Sequence, residues 1–238
     1  MDSDPFEPNI PRPTAARPLL GLTVLVVEDS RFACEALRLL CLRSGARIRR
    51  ADSLKAARRH LRVYRPSALI VDIGLPDGCG LDLITNADRA STRPDIILVS
   101  SGDPGGADAA QKAGADGFLP KPVTSLAVFQ DALLSRLPSN RQPGGPRPVP
   151  TEEVQPDPLA FQDDLAHVAN VLIDAETPHA LDYVAQFLTG VARSARDAPL
   201  ETAALALAAK RASGEAGASE AAVLSGMVAD RLNHRIAI

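Results

Sequence analysis

The chain has 238 residues, of which 45% are hydrophobic and only 3% aromatic, and it carries a formal net charge of -3. This length suffices for one full domain and a smaller second one, with cores built mainly from aliphatic side chains. Cys34, Cys41 and Cys79 form no C-x-x-C pair, which argues against a disulfide framework or a zinc site and favours a reducing compartment.

The distribution of charge and hydropathy along the chain argues against two classes of partner, nucleic acid and membranes. Residues 151–238 hold 13 acidic and 6 basic side chains, whereas residues 1–150 hold 16 acidic and 20 basic ones. An acidic second domain would repel a phosphate backbone, which argues against nucleic acid as a partner. No uncharged apolar run approaches the ~20 residues that span a bilayer, and the N-terminus lacks the apolar stretch of a signal peptide. We therefore predict a cytoplasmic protein without a membrane partner.

The first 137 residues divide into a tail and a domain of alternating elements. Five prolines and little apolar periodicity in residues 1–20 predict a disordered tail. Over residues 21–137, the predicted strands are Thr23–Val27, Ala46–Arg50, Ala68–Val71, Ile96–Val99 and Gly117–Leu119. Four of the predicted helices are Arg31–Arg43, Leu81–Arg89, Ala107–Ala113 and Ser125–Leu137. A further helix, the second in chain order, is capped by Asp52 or Ser53 and runs towards Tyr64. Five successive βα units predict an α/β domain with a doubly wound, five-stranded parallel sheet.

The remaining residues predict a linker and a helical domain. Residues 138–158 contain seven prolines and two glycines, which is typical of a semi-extended linker. Residues 159–238 show no strand pattern but have Ala, Leu and Val at helical spacing. The predicted helices are Leu159–Ile173, Pro178–Ala195, Pro199–Ser213 and Glu215–His234. Four such helices favour a small antiparallel, all-α bundle.

Polar residues that handle metal or phosphate end four of the predicted strands. Glu28 and Asp29 follow the first strand, Asp72 the third, Ser100 the fourth and Lys121 the fifth. The carboxyl ends of parallel strands line one crevice, so we expect these five side chains to converge. Each residue alone is more often a cap, a loop residue or a surface charge, but four such strand ends in one sheet indicate a functional pocket.

The residue types in this pocket suit a divalent cation and a phosphoryl group. Mg²⁺ prefers oxygen ligands, which Glu28, Asp29, Asp72 and a backbone carbonyl after Asp72 could supply. Asp72 could also attack phosphorus once its charge is neutralised. Lys121 and the metal would supply that neutralisation, and the hydroxyl of Ser100 could donate to a phosphoryl oxygen.

Over residues 21–137 the sequence resembles the receiver domain of bacterial two-component response regulators. The matching stretches are Val26-Val-Glu28-Asp29-Ser, Val71-Asp72-Ile-Gly74-Leu-Pro76-Asp-Gly-Cys-Gly80, Ser100, Gly114-Ala-Asp116-Gly-Phe118 and Lys121-Pro122. The resemblance implies a flavodoxin-like sheet of order 2-1-3-4-5. It also implies phosphorylation of Asp72 from a phosphohistidine on a sensor histidine kinase or a histidine phosphotransfer protein.

The resemblance implies roles for the other site residues as well. Asp29, Asp72 and the carbonyl of Gly74 would hold Mg²⁺, with Glu28 close by, while Ser100 and Lys121 would bind the phosphoryl group. The peptide bond before Pro122 is expected to be cis. Phe118 matches an aromatic switch position, although an aromatic residue that merely packs on a helix fits Phe118 equally well. The only catalysis expected is the phosphorylation and dephosphorylation of the domain itself.

Two features depart from or extend this pattern. Cys79 stands where the family often has a polar residue, and we interpret it as a loop filler. Residues 74 and 102 are both glycine, so neither supplies a side chain that shields the phosphoryl group from water.

The helical domain weakly resembles a histidine phosphotransfer bundle, whose signature helix reads His-x-Leu-Lys-Gly. Leu188 and Gly190 match, but Gln186 replaces the histidine and Thr189 the lysine. Without an imidazole at residue 186, phosphotransfer through that residue is excluded. The alternatives are a degenerate module that serves docking or regulation, and an ordinary effector or dimerisation bundle. His167 and His179 lie outside the motif and are interpreted as surface or packing residues.

Three functions compete on the sequence alone. The leading hypothesis is a phosphorylation-controlled switch in a phosphorelay that changes contacts with a downstream protein. A homodimer is compatible with this hypothesis. The alternative is a transcriptional regulator whose helical domain binds DNA, against which the acidic balance counts. A haloacid-dehalogenase-like phosphatase would need Asp-x-Asp, but Asp72 is followed by Ile73 and Gly74.

Overall fold

Successive side chains of the first strand, β1 (Thr23–Val27), point to opposite faces of a five-stranded parallel sheet. The structure is a computed structural model that describes residues 12–103, 105–173 and 178–233. Val24 and Val26 belong to the core on one face, and Leu25 and Val27 to the core on the other. All four are buried because helices cover both faces of the sheet.

The sheet has the predicted topology. The strands that follow β1 are β2 (Arg47–Ala51), β3 (Ala68–Asp72), β4 (Gly74–Leu75), β5 (Gly78–Cys79), β6 (Ile96–Ser101) and β7 (Gly117–Pro120). The main sheet has the order β2-β1-β3-β6-β7, with parallel pairing throughout. The predicted order 2-1-3-4-5 is confirmed when only the strands of this sheet are counted. The antiparallel pair β4–β5, which was not predicted, lies in the loop after Asp72.

Within the part of the chain that the structure describes, five helices flank the sheet, namely α1 (Arg31–Ser44), α2 (Leu54–Val63), α3 (Gly80–Asp88), α4 (Gly106–Lys112) and α5 (Leu126–Leu134). The hydroxyl of Ser30 caps α1, and Gly45 ends it with a φ of 83°. Of the two predicted caps for α2, Ser53 is the one used. The prediction Ser125–Leu137 overran α5 by three residues, because the chain tightens into i→i+3 hydrogen bonds after Leu134.

The described residues correct two predictions outside the regular elements. The disordered tail predicted for residues 1–20 lies mainly outside the described residues, which start at 12. However, Leu19 is fully buried in the core, and its N–H donates to the carbonyl of Ser44, so the ordered part begins before residue 21. In the predicted linker, Ser139–Arg141 forms a 3-10 turn, and Val154 is buried in the same core. The linker is therefore held partly against the α/β domain.

The described C-terminal residues form four helices, namely α6 (Pro158–Ile173), α7 (Pro178–Ser194), α8 (Ala198–Ala212) and α9 (Ala218–Asn233). Each packs on the next, and α6 also packs on α9, which closes a bundle around Leu165, Leu188 and Leu207. The predicted last helix began too early, because Gly214 and Gly217 adopt positive φ angles before it. Its predicted end, His234, lies outside the described residues. None of the helices in the described part of the chain is long and apolar enough to cross a membrane.

Candidate functional site at the strand ends

The predicted strand-end residues lie together at the carboxyl edge of the main sheet. Glu28 and Asp29 follow β1, while Asp72 ends β3 and is the register partner of Ser100 on the neighbouring β6. Lys121 follows β7 at the far side, and the peptide bond between Lys121 and Pro122 is cis, as predicted. The crevice forms because the strands are parallel and end at the same edge.

Three carboxylates form the acidic part of this pocket. One oxygen from each of Glu28, Asp29 and Asp72 lies within 4.8 Å of the other two. Glu28 is buried, whereas Asp29 and Asp72 are half-buried and border the open cleft. Three converging carboxylates repel one another unless cations neutralise them, and their oxygens are the ligands that a hard divalent cation prefers.

Lys121 supplies a buried positive charge to this cluster. Its Nζ lies 2.7 Å from Glu28 Oε2 and 3.1 Å from Asp72 Oδ1, and its side chain is only 5% exposed. Burial by itself would lower the pKa of Lys121, but attraction to Asp72 and Glu28 outweighs burial and holds this pKa above its ordinary value. Lys121 is therefore a permanent cation within reach of Asp72.

Two of the carboxyl groups bind protons more tightly than usual. Desolvation by burial is the largest cause that raises the pKa of Glu28, to about 8, although Lys121 opposes it. Desolvation and the neighbouring charge of Asp72 raise the pKa of Asp29 to about 7. At neutral pH the cluster therefore retains protons that a cation would displace.

The hydroxyl of Ser100 is available to form a hydrogen bond with a group that enters the pocket. Ser100 is 1% exposed, and its Oγ has no hydrogen-bond partner among the described residues. A buried hydroxyl without a partner is costly, so an incoming acceptor that reaches it is favoured. A phosphoryl oxygen on the neighbouring Asp72 would be such an acceptor.

Two glycines of this region act through their lack of a side chain. A β-carbon at Gly80 would lie 2.0 Å from the carbonyl oxygen of Asp72, so only glycine lets α3 start this close to β3. A β-carbon at Gly74 would lie 2.2 Å from Gln186 Nε2 in the helical domain. Gly74 therefore leaves room for a side chain from elsewhere in the chain.

Phe118 lies on β7 and is half-buried. It packs against the core on the face of α2, α3 and α4, next to Gly106 at the start of α4. This position accommodates both predicted roles, the aromatic switch and simple packing, and the switch role of Phe118 stays a prediction. Cys79 is exposed in the β4–β5 hairpin.

The helical domain contributes residues to this edge that the sequence did not predict. The hydroxyl of Tyr183 on α7 donates a 2.9 Å hydrogen bond to Asp29 Oδ2 and lies 3.1 Å from His167 Nε2. His167 and Tyr183 pack edge to face, so His167 serves as a packing residue. No motif marks Tyr183; the only available signal is its place three residues before Gln186.

Asp164 on α6 attaches the helical domain to the start of α1. Its Oδ2 accepts hydrogen bonds from Ser30 Oγ at 2.7 Å and Phe32 N at 3.1 Å, and its Oδ1 accepts one from Arg31 N at 2.8 Å. An anion at a helix N-terminus satisfies free N–H groups and is favoured by the helix dipole. Burial raises the pKa of Asp164, whereas the bonds from Ser30, Phe32 and Arg31 oppose that rise.

Comparisons with known proteins show which family the α/β domain is similar to. Residues 24–132 match the family model described as the response regulator receiver domain. The KDP operon transcriptional regulatory protein KdpE of Escherichia coli is 34% identical over 99 residues, which are 42% of this chain and 44% of KdpE. The virulence transcriptional regulatory protein PhoP of Salmonella typhimurium is 34% identical over 119 residues, which are 48% of this chain and 53% of PhoP.

The chain thus spans about half the length of the curated relatives that it matches. A solved receiver domain from Methylobacillus flagellatus, described as CheY-like, is 24% identical, with a TM-score of 0.45, and covers 49% of this chain and 98% of its own. Each of these matches covers less than half of this chain. Residues 24–132 therefore form a domain of the response regulator receiver type.

Proposed function

We propose that Asp72 accepts a phosphoryl group from a phosphohistidine on a sensor histidine kinase or a histidine phosphotransfer protein. The observation that carries this proposal is the convergence of Asp72 with Glu28, Asp29, Ser100 and Lys121 at one edge of a receiver sheet. The catalysis that we propose is limited to the phosphorylation and dephosphorylation of this domain.

In the proposed reaction, a carboxylate oxygen of Asp72 forms a bond to phosphorus as the bond from phosphorus to the donor's imidazole nitrogen breaks. The imidazole leaves with the electron pair and takes up a proton from water. Lys121, already 3.1 Å from Asp72 Oδ1, neutralises charge that builds up on the transferred group. Ser100 Oγ, which lacks a partner among the described residues, would donate its proton to a phosphoryl oxygen.

The acidic cluster fits a divalent cation, which we propose to be Mg²⁺. Glu28, Asp29 and Asp72 supply oxygen atoms within 4.8 Å of one another, and the carbonyl of Gly74 is the further ligand that the family pattern suggests. When bound, the cation would offset the negative charge that the carboxylates and the phosphoryl group share.

We propose that the output is a change in protein contacts made by the helical domain. A phosphoryl group adds about two negative charges close to Asp29, which bonds to Tyr183 on α7. The next residue, Ser30, bonds to Asp164 on α6. Such a charge biases the arrangement of the contact between the two domains. The downstream partner would then bind one of these arrangements in preference to the other.

A transcriptional regulator is the second candidate, because the relatives KdpE and PhoP are described as transcriptional regulatory proteins. The identity lies within the receiver part, whereas residues 151–238 carry 13 acidic against 6 basic side chains. A gel-shift assay of the full chain with genomic DNA fragments, with and without acyl phosphate, separates the two functions. Specific retention of DNA in either state would favour the second candidate.

Phosphotransfer from candidate kinases tests the leading function. The parent chain and Asp82→Asn, an exposed acid on α3, should incorporate label to the same extent. Asp72→Ala should incorporate none. Pull-down from the same samples, with and without label, should recover a partner in one state only. Equal labelling of the parent and Asp72→Ala contradicts the proposed acceptor, and identical recovery in both states contradicts the proposed output.

A further inference from the structure

One face of α7 lies across the receiver's crevice. Tyr183, Gln186, Gly190 and Arg193, which we call the crevice-facing stripe, are spaced by three, four and three residues and so share one helical face. Tyr183 bonds to Asp29, and Gln186 lies against Gly74. A β-carbon at Gly190 would lie 3.9 Å from Lys121 Nζ, and Arg193 lies against Gly102. The stripe therefore lies over the carboxyl ends of β1, β3, β6 and β7.

The receiver makes room for this helix by lacking two side chains. A β-carbon at Gly74 would lie 2.2 Å from Gln186 Nε2, and one at Gly102 would lie 2.7 Å from Arg193 Nη1. Arg193 is fixed in turn by Glu201 on α8, with 2.7 Å between Nε and Oε1. Side chains of α7 thus occupy the space beside residues 74 and 102, two residues after Asp72 and Ser100, that receiver side chains would otherwise fill.

The α7 helix is held in this place through α6. Asp164 accepts three hydrogen bonds from the start of α1, and the rings of Phe32 and Phe161 meet edge to face at 5.7 Å. Asp164 is 2% exposed, so its bonds are shielded from water and strengthened accordingly. By contrast, the neighbouring pair of Asp163 and Arg31 is largely exposed and contributes little.

The crevice under α7 stays open to small molecules. A cleft of about 620 Å³ reaches Asp72 and Lys121 from between the receiver and α7. This volume is in the range of roughly 300–1,000 Å³ that is typical of small-molecule sites. A protein partner, however, usually needs about 800 Å² of contact on each side. The stripe of α7 covers the surface around Asp72 on which such a contact would form.

We propose that the protein, with α7 lying across the crevice, discriminates between two classes of phosphodonor. This inference rests on the proposed phosphorylation of Asp72. A small phosphorylated anion, such as an acyl phosphate or a phosphoramidate, enters the cleft and reacts with Asp72 directly. A phosphohistidine carried on a protein reaches Asp72 only when α6 and α7 leave the receiver. In both cases the oxygen–phosphorus bond to Asp72 forms while the donor's bond to phosphorus breaks, and the leaving group keeps the electron pair.

Two donors with the same leaving group but different bulk test this inference. The small donor is free phosphoimidazole, and the bulky donor is a phosphohistidine peptide coupled to serum albumin by a short linker. Both are given to the full chain, and the rate of Asp72 labelling is measured. The parent should react with phosphoimidazole and react far more slowly with the bulky donor.

Variants of α6 then test whether the helical domain is the barrier. Asp164→Ala and Phe161→Ala weaken the contact through different interactions, and each should raise the rate with the bulky donor by about tenfold or more. Asp163→Ala is the matched control, and its rate should equal that of the parent. The rate with phosphoimidazole should be the same in all four proteins, which also reports an intact receiver.

The possible results separate the inference from the proposed function. Equal reactivity of the parent with both donors would overturn the discrimination, and so would unchanged bulky-donor rates in both weakened variants. If neither donor labels the parent above the level of Asp72→Ala, the proposed phosphorylation itself fails.

Discussion

Tyr183 and Asp29 are 154 residues apart in the sequence, yet the hydroxyl of the first donates a 2.9 Å hydrogen bond to Oδ2 of the second. This bond joins α7 of the helical domain to one of the three carboxylates in the receiver's acidic cluster. A group that binds at Asp29 therefore acts directly on a contact between the two domains.

Removal of this hydroxyl should strengthen the binding of a divalent cation. In Tyr183→Phe, Asp29 Oδ2 no longer accepts a bond that a cation must replace, so we expect the dissociation constant for Mg²⁺ to fall about fivefold, corresponding to roughly 1 kcal/mol. Isothermal calorimetry on the full chain at pH 9, above the pKa of about 7 of Asp29, measures this constant without competition from a proton on that carboxyl group. Tyr64→Phe, at the only other tyrosine, is the control and should bind as the parent does. An unchanged constant in Tyr183→Phe would mean that hydroxyl and cation do not compete.

Cation binding should strengthen as pH rises. The pKa values of Glu28 and Asp29 are raised to about 8 and about 7, so below these values each group holds a proton that the cation must displace. We expect the affinity for Mn²⁺, followed by electron paramagnetic resonance, to increase by at least about tenfold between pH 6 and pH 8. Proton release on binding at pH 6.5 should accompany this increase. A flat profile over this range would contradict protonation of the cluster.

Neutralisation of Asp29 should stabilise the folded protein. The pKa of Asp29 is higher in the folded chain, about 7, than its ordinary value of 3.8, so the folded state binds this proton more tightly than the unfolded state. The stabilising effect of Asp29→Asn should thus be small near pH 4, grow as pH rises and level off above about pH 7. We expect about 2 kcal/mol at pH 8 from urea unfolding. An effect independent of pH would show that charge burial is not its cause.

Two glycines near Asp72 should respond differently to a methyl group. At Gly80 the added carbon would meet the carbonyl oxygen of Asp72 at 2.0 Å, and backbone cannot move away cheaply, so Gly80→Ala should lower the free energy of unfolding by about 3 kcal/mol. At Gly74 it would meet the flexible end of Gln186, which can turn aside. Gly74→Ala should therefore cost less than about 1 kcal/mol. Urea unfolding of both variants checks this difference, and equal losses would contradict it.

Local patterns predicted most of the receiver because its signals are local. The alternating and continuous apolar runs identified the five strands of the main sheet, and the strand order followed from the family resemblance. The β4–β5 hairpin was missed because two-residue strands carry no periodicity. The ordered segment around Leu19 was missed because a single buried leucine among prolines has no pattern, and only the core that it enters makes it structural.

The sequence by itself determined the residues of the pocket, since parallel strands bring their carboxyl ends, and thus Glu28, Asp29, Asp72, Ser100 and Lys121, to one edge whatever the rest of the chain does. It also determined that the C-terminal part is helical, whereas the weak resemblance of α7 to a phosphotransfer signature helix, with Gln186 at the histidine position, stays a prediction. Only the tertiary structure decided where that helix lies. Helical periodicity shows which face of α7 is apolar, but the partner of its polar face depends on contacts over more than a hundred residues. Two sets of hydrogen bonds fix the position of α7, namely those of Asp164 to the start of α1 and that of Tyr183 to Asp29. In this position Gln186 lies against Gly74.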